Sequence, residues 1–375
     1  MPFDQIGAPP AGGVGELPIA DAPELLTAEW VTAALRAGGA LEPDRSVTAV
    51  EQQPVGTGQM CDSVRLRLTF DGATAAPSSI VAKLPAADET SRATALSLRS
   101  YENEVRFYQQ LAPHLPMRTP AVFHADIDVE TASFVLLLED LAPAEQGDQL
   151  AGCSPEVAEV AVDELVRLHA PRWGDASLAE LEWLHRDRAT SQQFMLMLLP
   201  TLWEGFLDRY RDDLGPEVHE AGGQLFGRLE AYLFADTEPW SIVHGDYRLD
   251  NLLFDPSPGG TPIAVVDWQT VTHGPPLQDV AYFIGAGLEA ETRRQHEEAL
   301  VRGYHDGLVA AGVAGYDWER CWHDYRRGTW LGLIMAVAAS MLVERTDRGD
   351  QMFLTMAGRH SRHALDLDAQ AVIGT

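Results

Sequence analysis

His244-Gly-Asp-Tyr-Arg-Leu-Asp-Asn251 is the stretch on which the reading of this chain turns. Within it Asp246 precedes Asn251 by five residues, and a further acid, Asp267, ends the apolar run Ile263-Ala-Val-Val266 downstream. Two carboxylates and a carboxamide are hard oxygen donors, suited to a small divalent cation that keeps several waters and the oxygens of a phosphorylated substrate. A second unusual residue lies upstream. Lysine occurs once in 375 residues, as Lys83 in Ser79-Ile-Val-Ala-Lys-Leu84, whereas the other 26 of the 27 basic side chains are arginine.

Where a point charge would serve, this sequence uses arginine. A position that keeps the ammonium needs a compact donor that fits among phosphate oxygens and a carboxylate without a planar fork. A lysine on an early strand, an aspartate that takes the acceptor's proton, an asparagine five residues on and a later aspartate bridging metal and phosphates form the set used in phosphoryl transfer. All four types occur here in that order. Taken singly, Asp246 reads equally as a turn acid and Asp267 as a strand-end cap; the chemistry rests on the set.

Composition bounds the alternatives. A chain of 375 residues, 46% apolar and 22% charged, is long enough for two lobes with sizeable cores and ordinary for a soluble globular protein. A formal charge of −29 repels both a nucleic-acid backbone and an anionic membrane surface, so neither is an expected partner. Cys61, Cys153 and Cys321 lack metal-ligand spacing and fit a reducing compartment as packing residues. The first residues, Met-Pro-Phe-Asp-Gln-Ile-Gly, carry neither a positive region nor an apolar core of a secretory signal, and a cytoplasmic location is expected. The most apolar stretch, Trp330 to Val343, is too short to cross a bilayer and reads as a buried core helix.

Along the chain, residues 1 to about 25, rich in Pro, Gly and Ala, read as a loosely held arm. Thr27 caps a helix over 28–36 that stops at Gly38-Gly39. Val64, Leu66, Leu68 and Phe70 alternate with Arg65, Arg67 and Thr69, which predicts a strand, and the Lys83 strand follows. Leu98, Tyr101, Val105 and Tyr108 recur at helical spacing on a segment that also carries Glu102 and Glu104. Strands near 122–128 and 133–138 complete a sheet-plus-helix unit. From Ser154-Pro155 onward the pattern is mostly helical, over 156–170, 190–213, 216–234, 277–313 and 317–368 with turns in the last groups. Short strands at 242–243, 252–254 and 263–266 flank the acidic cluster. The fold class is therefore α+β, with a β-rich domain over 26–140, a mostly helical domain over 141–375 and a hinge at Glu139-Asp-Leu-Ala-Pro143.

This order resembles the protein-kinase-like superfamily, in its aminoglycoside phosphotransferase and choline kinase branch, nearest to ecdysteroid-kinase-like and acyl-CoA-dehydrogenase-associated phosphotransferases. The residues that carry the likeness are His244 to Asn251, with His-Gly-Asp where protein kinases have His-Arg-Asp, and Val265-Val-Asp-Trp-Gln269. Gly56-Thr-Gly-Gln-Met60, Glu104-Val-Arg-Phe-Tyr108, Leu138-Glu-Asp-Leu141 and Gly274-Pro-Pro-Leu-Gln-Asp-Val280 support it, over about residues 27 to 345. The resemblance implies a bilobal kinase fold, with a small antiparallel-sheet lobe and a larger helical lobe, that binds ATP and Mg²⁺. It implies that Asp246 is the catalytic base, that Asn251 and Asp267 hold the metal, and that Lys83 contacts the phosphates and pairs with Glu104. Periodicity alone leaves Glu102 open as the partner. Gly56, Thr57 and Gly58, after a strand ending near Pro54, would bring backbone N–H groups to the phosphates, or form a plain hairpin turn; the third glycine of the protein-kinase loop is absent. Backbone groups from Glu139 to Leu141 would hold the adenine. His244 would brace the loop.

The activity implied is transfer of the γ-phosphoryl group of ATP to a hydroxyl of a small organic molecule. Tyr247, Arg248, Trp268, Gln269 and His273 lie near the acceptor site in sequence, while Trp203, Tyr210, Trp322, Tyr325 and Trp330 recur on helices as packing stripes do. No residue selects among aminoglycosides, choline-like alcohols, steroids and hydroxyacyl compounds. Two other readings stand beside the kinase: a nucleotide-binding pseudokinase acting as an interaction module, and a metal-dependent phosphohydrolase with His244, Asp246 and Asp267 as ligands.

Overall fold

A computed structural model describes residues 17–56, 60–185, 187–255, 257, 259–343 and 345–374. Much of the expected N-terminal arm, residues 1–16, lies outside them. The chain forms two compact units, one of Met1–His114, Thr119–Pro143 and Val266–Thr270, the other of Leu115–Arg118, Ala144–Val265 and Val271–Thr375. Among the described residues no helix is long and apolar enough to cross a membrane.

The first unit begins with α1 (Ala28–Ala37), whose first turn is closed by the Thr27 hydroxyl accepting from the Trp30 N–H at 3.2 Å. It continues with β1 (Val47–Pro54), β2 (Cys61–Phe70), β3 (Ser79–Pro85), α2 (Glu89–Leu98), α3 (Ser100–Gln110), β4 (Val122–Asp128) and β5 (Ser133–Glu139). The strands make one antiparallel sheet in the order β1-β2-β3-β5-β4, which puts β3 at its centre. Ile80, Ala82 and Leu84 of β3 are fully buried in a core with Val31, Leu35, Leu66 and Leu137. Because side chains alternate along a strand, Lys83 leaves by the opposite face. The helix α2 is absent from the sequence reading, and its weak apolar face, with Ala95 as its one buried residue, explains why.

The second unit contains β6 (Glu145–Gln146), α4 (Pro155–His169), α5 (Arg188–Arg209), α6 (Pro216–Phe226), α7 (Leu229–Phe234), β7 (Ser241–Val243), β8 (Leu252–Phe254), β9 (Ala264–Val265) and β10 (Thr272–Gly274). Then come α8 (Leu277–Gly287), α9 (Ala290–Ala310), α10 (Trp318–Gly328), α11 (Trp330–Leu342) and α12 (Asp347–Asp366). Strands β6, β8 and β9 pair in that order, and β7 pairs with β10. The segment 216–234, read as one helix, breaks at Gly227, whose N–H closes the first helix on the Gly223 carbonyl.

The apolar stretch from Trp330 is the core helix expected of it, with Trp330, Ala336 and Val337 fully buried. Its Gly332 faces α12 so closely that a Cβ there would stand 2.2 Å from the His360 ring. That ring is itself fully buried and stacked on Tyr282 at 5.3 Å, so it has nowhere to move. Alanine in place of a helical glycine ordinarily stabilises; here overpacking reverses the sign, and Gly332→Ala is expected to cost about 1–3 kcal/mol, read as a lower urea midpoint.

Candidate active site

In the first unit, the lone lysine meets two acids. Nζ of Lys83 donates to both carboxylate oxygens of Glu104, each at 2.7 Å, and to Oδ1 of Asp267 at 3.1 Å. Glu104 projects from α3 and is 1% exposed. The competing acid, Glu102, pairs instead with Arg99 at 2.8 Å. Burial alone would lower the Lys83 pKa, but the Asp267 and Glu104 carboxylates outweigh it and hold the ammonium well above the ordinary lysine value. Asp267 belongs to this unit because the 266–270 segment docks on α3. The Trp268 N–H donates to Glu104 at 3.3 Å, the Trp268 ring stacks on Phe107 at 3.7 Å, and the Asn103 amide donates to the Gln269 carbonyl at 3.0 Å. Asp267 itself has φ 67°, a left-handed conformation uncommon outside glycine and costly to hold. Its carboxylate is 40% exposed although it lies beside a buried ammonium.

In the second unit, Asp246 sits in the loop after β7. The loop backbone is clamped by Asp279 of α8, whose carboxylate accepts from the N–H groups of His244 at 2.6 Å and Gly245 at 2.9 Å. Gly245 has φ 81°, a turn conformation that a side chain would strain. His244 is fully buried, and its Nδ1 accepts the Asp246 N–H at 3.2 Å. Both oxygens of Asp246 are engaged. The Tyr282 hydroxyl donates to Oδ1 at 2.8 Å, while Nε of Arg248 and Nδ2 of Asn251, each at 3.0 Å, donate to Oδ2. Asn251 also donates to the Asp246 carbonyl at 2.8 Å, which puts its amide oxygen at the opposite corner of the carboxamide. Arg248 makes a second ion pair with Asp250 at 2.5 Å. Burial and the adjacent Asp246 carboxylate push the Tyr282 hydroxyl well above the usual phenol range, so it stays a neutral donor.

The remaining predicted residues fall as follows. Gly56, at φ 78°, lies in the connection between the antiparallel strands β1 and β2, and among the described residues, its chain neighbours aside, no atom stands within 4 Å of a would-be Cβ. Thr57 and Gly58 lie outside the described residues. Glu139 ends β5, where its N–H donates to the Ala121 carbonyl at 2.8 Å and its carboxylate accepts from the Ala121 N–H at 3.0 Å. Leu141 follows two residues later, beyond Asp140. Tyr247 and Trp268 are fully buried packing residues, as are Tyr210, Tyr325 and Trp330. His273 pairs with His185 at 3.2 Å, and burial followed by that neighbour lowers its pKa to about 4. Asn251 and Asp267 offer the hard oxygens that suit Mg²⁺, a metal that keeps waters and substrate phosphates. Among the described residues there is no group of three His, Cys, Asp or Glu side chains that could hold a metal ion.

Three contacts escaped sequence reasoning: the Asp279 clamp, the Tyr282 hydroxyl, and a bidentate pair in which Arg65 donates to Asp140 at 2.7 and 3.0 Å beside the Glu139–Leu141 segment. Asp279 could have been found from its place in the motif ending at Val280.

Known proteins resemble this chain at two levels. The model of the phosphotransferase enzyme family matches residues 76–322. Among curated proteins, acyl-CoA dehydrogenase family member 11 of Gallus gallus is 43% identical over 47 residues, which are 12% of this chain and 6% of that protein. Acyl-CoA dehydrogenase family member 10 of Mus musculus is 52% identical over 42 residues, 11% of this chain and 4% of that protein. The chain thus spans only a small part of the curated relatives it matches. Among solved structures, a microcompartment-associated aminopropanol kinase is 14% identical with a TM-score of 0.52, covering 92% of this chain and 98% of that one. Choline kinase from Cryptosporidium parvum is 11% identical with a TM-score of 0.50, covering 85% and 89%. These likenesses show that the chain has the kinase-like α+β fold expected of it.

Proposed function

The chain belongs to the phosphotransferase enzyme family, and we propose that it transfers the γ-phosphoryl group of ATP, bound as its Mg²⁺ complex, to a hydroxyl of a small organic molecule. Lys83 neutralises phosphate charge, Glu104 fixes its ammonium, and Asn251 with Asp267 holds the metal. Mg²⁺ would supply charge neutralisation at the phosphates. Asp246 orients the acceptor hydroxyl and takes its proton late, because the transition state is loose and positioning does most of the work. The turn at Gly56 is assigned to the phosphates, and backbone groups from Glu139 to Leu141 take the adenine. The division into a nucleotide-binding domain over 26–140 and a catalytic and acceptor-binding domain over 141–375 belongs to the same reading.

The observation that carries this reading is the state of Lys83. A buried ammonium held by one buried carboxylate and one exposed carboxylate is poised to shift charge onto incoming phosphate oxygens. The phosphohydrolase reading gives Lys83 no task and needs His244 as a ligand, whereas that ring is buried and its Nδ1 takes the Asp246 N–H. A pseudokinase keeps no reason for the four donors to survive together.

Hydroxylated metabolites, from aminoglycosides to hydroxyacyl thioesters, screened for acceptor-dependent ADP formation test the proposal. At least one class is expected to stimulate ADP release. Phosphate release from simple esters without nucleotide would favour the hydrolase, and nucleotide binding without turnover on any acceptor would favour the interaction module.

A further inference from the structure

We infer that Tyr282 is a positioning residue for Asp246, holding the carboxylate in the orientation from which it receives the acceptor's proton. The inference rests on the assignment of Asp246 as base. Its geometric warrant is that the donors on Asp246 are divided unevenly: Arg248 and Asn251 both reach Oδ2, and Tyr282 reaches Oδ1 at 2.8 Å. Without the phenol, Oδ1 loses the donor that fixes it, and the orientation of the carboxylate rests on the two contacts to Oδ2 alone. Tyr282 stands one helical turn after Asp279, so α8 fixes the loop backbone through one residue and the reacting side chain through the other. The Tyr282 ring is 1% exposed and lies flat on His360, with ring centres 5.3 Å apart and planes 7° apart. The hydroxyl therefore has one place to be. An aligned donor of this kind acts on the rate of a step limited by positioning, while nucleotide affinity is set elsewhere.

Tyr282→Phe removes the hydroxyl and keeps the stacked ring. With the best acceptor from the screen, kcat is expected to fall about ten- to a hundredfold, with KM for ATP within about twofold of wild type. In an Asp246→Asn background the same substitution should change nothing further, since Tyr282 acts through that carboxylate. A kcat for Tyr282→Phe within about twofold of wild type would overturn the inference, and so would an undiminished loss in the Asp246→Asn background, which would mark a merely structural effect. Wild-type protein without nucleotide-dependent transfer would remove the functional reading, and the inference would fall with it. Active wild-type protein with an indifferent Tyr282→Phe sinks the inference alone.

Discussion

Asp246→Asn is expected to reduce phosphoryl transfer by about 10²–10⁴-fold while leaving nucleotide affinity near wild type. The substitution is nearly isosteric and keeps one oxygen, which can serve either the two donors now on Oδ2 or the one on Oδ1. It removes the negative charge and the basicity. An amide nitrogen turned toward Arg248 would face a donor with a donor, while an amide oxygen there leaves nitrogen facing the Tyr282 hydroxyl; either way the acceptor's proton has no carboxylate to enter. Single-turnover transfer and equilibrium nucleotide binding, measured side by side, separate the two effects. Turnover at the wild-type rate would refute the assignment of the base.

Lys83→Arg is expected to cripple activity by about a hundredfold or more although the charge is kept. Lys83 reaches both Glu104 oxygens and Asp267 from a single nitrogen, on a β3 position that is 11% exposed. A planar guanidinium cannot repeat three contacts from one point, and its extra volume beside Glu104 strains a packed interior. The control is Lys83→Met, which leaves Glu104 buried without its cation and should destabilise the protein by about 3–5 kcal/mol. Lys83→Arg retains the cation, so its thermal midpoint should fall less than that of Lys83→Met. An unaffected rate in Lys83→Arg would return the solitary lysine to an accident of composition.

Much of this was legible because local patterns and global fold agree. The alternation at Val64, Leu66 and Leu68 appears as buried residues of β2, and Ile80, Ala82 and Leu84 line the same core from β3. The loop from His244 to Asn251 and the Val265 to Gln269 segment could be picked out because their chemistry is concentrated in a few consecutive residues. Glu104 was harder: both Glu102 and Glu104 flank the apolar face of α3, and only the burial of Glu104 beside Lys83 settles the pairing. Arg65 and Asp140 stand 75 residues apart, and no pattern in sequence joins an arginine on β2 to an acid just after β5. Tyr282 was hidden for a different reason. It sits in Val280-Ala-Tyr-Phe-Ile-Gly285, an apolar run in which an aromatic reads as packing, and its one polar atom finds Asp246 only in three dimensions.

The most direct measurement is ³¹P NMR of wild-type protein incubated with ATP, Mg²⁺ and an acceptor that stimulates ADP release. ADP and a phosphate monoester of the acceptor are expected in equal amounts, with the monoester formed at least about a hundredfold more slowly by Asp246→Asn. Orthophosphate in place of the ester, or ester formed as fast by the Asp246→Asn protein, would contradict the proposal.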